Sequence, residues 1–93
     1  MQTFLAAFDA LPFGTVTGTV HGRHYIVVKS GFSGGVSQKL VAEELGGRDF
    51  ISLNLYRTRN GALLRPCEMP EAKVIAFVLD LTPLPGPLPG SDT

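Results

Sequence analysis

Tryptophan is absent from this chain of 93 residues, and cysteine occurs once. A lone cysteine closes no internal disulfide, so the fold has to rest on its hydrophobic core. Charge of one sign is also missing: eight Lys+Arg against eight Asp+Glu give a formal net charge of zero, which removes any global attraction to a nucleic-acid backbone or an anionic membrane. No apolar run approaches the roughly 20 residues that a membrane-spanning helix needs. The opening Met1-Gln2-Thr3-Phe4 has neither the basic stretch nor the apolar stretch of a signal peptide. These absences point to a cytoplasmic protein with no membrane partner.

What is there is a globular composition. The hydrophobic fraction of 44% is far above that of a disordered chain, and the length allows one core and no more. Phe4, Leu5, Phe8 and Leu11 recur at helical spacing, with Thr3 as an N-cap and Pro12 just beyond. From Thr15 the period becomes two. Val16 and Val20 alternate with threonines, and after His21-Gly22 a β-rich run, Arg23 to Val28, completes a hairpin. Val36, Leu40, Val41 and Leu45 then read as the apolar stripe of a second helix that Gly46-Gly47 ends.

Ile51, Leu53 and Leu55 alternate with Ser52, Asn54 and Tyr56, and Asn60-Gly61 suits a type I′ turn. A two-residue turn there pairs Arg59 with Ala62 and Arg57 with Leu64. Asn54, Tyr56, Arg65 and Cys67 then share the face opposite Leu53 and Leu55. Pro70 opens a last helix with Val74, Ile75, Val78 and Leu79 inward. Residues 82–93 repeat Pro-Leu-Pro-Gly and read as a flexible tail without a P-x-x-P ligand motif. The expectation is one α+β domain over residues 1–81. Its order is α-β-β-α-β-β-α, with a four-stranded antiparallel sheet from two hairpins and helices packed on one face.

Chemistry-bearing residues are few. Cys67 is the only thiol, and a neighbouring arginine and a following helix N-terminus would favour its thiolate. The glycine loop of residues 31–35, read as joining a strand to a helix between Lys29 and Lys39, has the makings of an anion site. Arg57 and Arg65, interleaved with Tyr56, have the composition of a single-strand nucleic-acid surface. No acid–base pair, metal-ligand set or cofactor motif assembles from the carboxylates and from His21 and His24. The binding candidates are therefore Lys29, Lys39, Asn54, Tyr56, Arg57 and Arg65. The function they imply is a small non-enzymatic binding module, with a protein partner or self-association favoured over nucleic acid.

Residues 39–47 (Lys-Leu-Val-Ala-Glu-Glu-Leu-Gly-Gly), 50–56 (Phe-Ile-Ser-Leu-Asn-Leu-Tyr) and 66–70 (Pro-Cys-Glu-Met-Pro) resemble motifs of a group of short bacterial proteins. Some of that group carry the label peptide methionine sulfoxide reductase. The resemblance implies an alternative function, thiol-dependent reduction with Cys67 as nucleophile. The chain departs from the reductase pattern in having neither Gly-Cys-Phe-Trp nor an Arg-Tyr-Cys context.

Overall fold

The computed structural model describes residues 2–32, 34 and 36–84. Its sheet begins at a turn set by two residues with positive φ. His21 (φ 51°) and Gly22 (φ 79°) reverse the chain tightly between β1 (Gly14–Val20) and β2 (Arg23–Phe32), with Val20 opposite Arg23. From there each strand pairs with the next: β3 (Ser37–Glu44), β4 (Phe50–Thr58) and β5 (Gly61–Pro66). Helix α2 (Glu71–Asp80) then carries the chain back across the sheet, so that β6 (Thr82–Pro83) adds to the outer edge of β1. The result is a six-stranded antiparallel sheet in the order β5-β4-β3-β2-β1-β6.

This corrects the expected four-stranded sheet. The segment read as a middle helix is strand β3, and the physical reason is visible in its burial. Gln38, Leu40 and Ala42 are buried while Lys39 and Glu43 are exposed, the alternation of a strand with one wet face. Because an alanine and a glutamine occupy two of the buried positions and Val41 faces outward, apolar residues alone show a helical spacing. Pairing along nearly the whole length of both β2 and β4 overrides the helix propensity of Ala-Glu-Glu-Leu.

The second hairpin also differs in register. Thr58 pairs with Gly61 and Arg57 with Ala62, so the turn is Arg59-Asn60 rather than Asn60-Gly61. The Thr58 hydroxyl fixes it, accepting from Asn60 N at 3.2 Å and donating to Gly61 O at 3.0 Å. The shift is by an even number of residues, so every side chain keeps its expected face. The tail was expected from residue 82, but Thr82 and Pro83 pair with Thr19 and Gly18, and Leu84 N donates to Thr17 O at 2.9 Å. The rest of the expected tail, residues 85–93, lies outside the described residues.

Among the described residues one face of the sheet is covered and the other is not. Helix α1 (Gln2–Ala10) and α2 pack on each other and on the inner face. There Phe4, Phe8, Val27, Leu40, Ile51, Leu53, Leu55 and Val74 are each at most 1% exposed. The Phe4 and Phe8 rings stack at 5.8 Å, and Tyr25 meets Phe77 edge-on at 4.9 Å. Against these, no element among the described residues covers the outer face.

Candidate functional site

The outer face follows from strand parity. Cross-strand register lines up Ser30, Lys39, Asn54 and Arg65 in one row, Val28, Val41 and Ser52 in the next, and Ile26, Glu43 and Phe50 beyond. Phe32, Ser37, Tyr56 and Leu63 form a further row. Four of the predicted binding residues, Lys39, Asn54, Tyr56 and Arg65, thus come together. The face is less polar than the pattern of β4 and β5 suggested, since Phe32, Val28, Phe50, Tyr56 and Leu63 are all exposed on it. Sheet residues of this size normally lie under a covering layer.

Two predicted residues belong elsewhere. Lys29, read as an anion ligand, is 3% exposed. Its Nζ donates to Phe8 O and Leu11 O, both at 2.8 Å, and sits 4.5 Å from the Phe8 ring and 4.8 Å from the Phe13 ring. It caps the C-terminal end of α1, where carbonyls lack intrahelical partners. Burial lowers its pKa, and the nearby Asp9 carboxylate opposes that shift. Arg57 lies on the inner face and pairs with Asp9 across from the end of α1. The glycine loop joins β2 to β3 rather than a strand to a helix. It therefore has no helix N-terminus, and Lys29 and Lys39 point to opposite faces of the sheet. Ser33 and Gly35 lie outside the described residues.

Cys67 is half-buried at the rim of the outer face, its backbone N–H bonded to Ser52 O at 3.0 Å. The Asn54 amide donates to its Sγ at 3.5 Å. Helix α2 begins at Glu71, one residue after the Pro70 expected to open it.

A second feature was missed in the sequence. At the end of the inner layer a cavity of about 410 Å³ lies between the β1–β2 turn, the β3–β4 connection and α2. Tyr25 OH donates to Asp49 Oδ2 and Lys73 Nζ to Asp49 Oδ1, both at 2.8 Å. The Lys73 ammonium holds the Asp49 carboxyl below the usual carboxylate range, with the Tyr25 hydroxyl helping and burial opposing. Burial, then the bond to Asp49, raises the Tyr25 phenol above its ordinary value. Neither Asp49 nor Lys73 was among the candidate site residues. The usable signal was the parity of Tyr25, which it shares with buried Val27 and which obliges its hydroxyl to find a partner inside.

Among the described residues no helix is long and apolar enough to cross a membrane, and no three His, Cys, Asp or Glu side chains gather as a metal site. No family model, curated protein or solved structure matches the chain.

Proposed function

We propose that this protein is a non-enzymatic binding module that uses the outer face of its sheet to associate with a second copy of itself. The observation that carries the reading is the arrangement about Val41. Lys39 and Glu43 flank it on β3, two positions to either side on the same face. A two-fold axis parallel to the sheet and perpendicular to the strands, passing above Val41, sets Lys39 of each copy against Glu43 of the other. That is the self-complementarity an isologous interface requires. The same stacking covers Ile26, Val28, Phe32 and Phe50.

Size supports the reading too. For β1 to β5, strands about 4.8 Å apart and roughly seven residues of about 3.3 Å each give a flat footprint on the order of 500 Å². Side-chain relief brings this toward the roughly 800 Å² per partner of a stable complex. Nucleic acid is less favoured, because Lys29 and Arg57 are subtracted from the basic set on this face and Glu43 is added. The test is molar mass by light scattering across a concentration series. The native chain is expected to dimerise. Lys39→Glu or Glu43→Lys alone should weaken the dimer about tenfold or more, because each places like charges opposite one another twice. The double swap should restore it. A monomer at every concentration refutes the reading, as does a double swap no better than either single change.

A second reading, thiol-dependent reduction at Cys67, has one observation in its favour, the Asn54 amide directed at Sγ. As the single cysteine of the chain, Cys67 would need an external thiol to close a catalytic cycle. Alkylation of the native protein tests it. Protection of Cys67 until unfolding eliminates this reading, and rapid labelling below pH 8 supports it.

A further inference from the structure

The cavity beside α2 lies on the other side of the sheet from the proposed dimer face, and its chemistry can be followed separately. Its floor is apolar, made by Val20, Ile51 and Phe77. Its charged lining is balanced, with Arg23 and Lys73 against Asp49 and Asp80. Two of these four charges neutralise one another at contact, Lys73 with Asp49. The other two are not so matched. Among the described residues the Arg23 guanidinium has one long ion pair, to Glu44 Oε2 at 4.0 Å, beyond hydrogen-bond length. Among the described residues Asp80 meets only His21, at 3.1 Å, a side chain that carries charge only when protonated. A cation and an anion with capacity to spare therefore border one apolar floor, both beside the β1–β2 turn.

We infer that this cavity binds a small apolar zwitterion, a free α-amino acid with a branched or aromatic side chain. Arg23 takes its carboxylate, Asp80 takes its ammonium, and Val20, Ile51 and Phe77 take its side chain. The volume falls within the range of small-molecule sites, which pair an apolar lining with a few placed polar groups. A ligand of net charge would leave one of the two groups unanswered, whereas a zwitterion answers both. The Tyr25–Asp49–Lys73 chain of hydrogen bonds fixes the wall behind the ligand, and buried Tyr25 keeps that wall in place through its edge contact with Phe77.

The experiment is a titration of the full chain with L-leucine, followed by amide chemical shifts, alongside two half-ligands, 4-methylpentanoate and isopentylamine. Saturable shifts are expected at Val20, Tyr25, Asp49 and Phe77, with each half-ligand binding at least about tenfold more weakly, the loss of one charge contact. Arg23→Gln and Asp80→Asn alter exposed side chains and leave the core intact. Each should weaken leucine about tenfold. Arg23→Gln should leave isopentylamine unaffected, and Asp80→Asn should leave 4-methylpentanoate unaffected. The inference is overturned by an absence of saturation at 20 mM leucine, on the order of the weakest useful affinities. It is equally overturned by half-ligands that match leucine, or by variants that bind it like the native chain.

Discussion

Replacing Lys29 by methionine isolates the largest polar contribution inside the core. The side chains are close in length, so the substitution removes the ammonium without opening a cavity. Leu11 O then loses its buried hydrogen bond, at a cost of about 1–3 kcal/mol for an unsatisfied buried carbonyl. Phe8 O keeps its bond from Leu11 N at 3.1 Å and loses only the second one, about 0.5–1.5 kcal/mol. Contacts of the cation with the two rings add roughly 1 kcal/mol. Against these stands relief from desolvating the ammonium, the same effect that lowers its pKa. With that relief set at about 2 kcal/mol, the net loss is on the order of 2 kcal/mol. For a domain of this size it lowers Tm by roughly 8–16 °C. Urea unfolding followed by circular dichroism measures it directly, with an unchanged slope expected. A variant as stable as the native chain, or more so, would show that desolvation outweighs the cap and refute the reasoning.

Three further outcomes follow from the same contacts. Asp49, its pKa lowered by Lys73, contributes stability that is present above the unfolded value of about 4 and lost as pH falls through the folded one. The urea midpoint of Asp49→Asn should therefore fall less than that of the native chain between about pH 4 and 2. Tyr25, its pKa raised by burial, contributes stability present below about pH 10 and lost as pH rises through its folded value. Ultraviolet titration should show a phenol ionising above the ordinary range that Tyr25→Phe removes. Gly18→Val should strip β6 from the sheet, because even a Cβ at Gly18 would lie 2.7 Å from Leu81 Cδ1 and 3.0 Å from Thr82 O. Faster exchange of the Leu84 amide, which now donates to Thr17 O, is the readout.

Where one residue class carried the alternation, the sequence was readable. Ile51, Leu53 and Leu55 announced β4, and Phe4 with Phe8 announced α1, because in both the buried positions are strongly apolar. Strand β3 was hidden because its buried face holds Gln38 and Ala42, and its outer face holds Val41. The missing strand concealed half of the outer surface. Asn54, Tyr56 and Arg65 could be grouped from one hairpin, but their neighbours Lys39, Val41 and Glu43 could not. Lys29 misled for a different reason. A lysine in a strand ordinarily faces water, and only the end of α1, a long-range neighbour, explains why this one does not.

The edges of the sheet bear on how two copies can meet. Leu84 N donates toward β1, so by alternation the ring nitrogen of Pro83 faces away from it and offers no donor to an incoming strand. At the opposite edge β5 is short and ends in Pro66, which likewise lacks an N–H. Short strands and prolines at both edges disfavour growth by strand addition, whereas Phe32, Val28, Phe50 and Leu63 stay exposed on the face between them. Association through that face closes after two copies, since a two-fold interface leaves no second equivalent surface. Raising the concentration of the native chain should therefore increase the mass to that of a dimer and no further. Continued growth into larger species would mean that the edges are in use and that the face is not the principal interface.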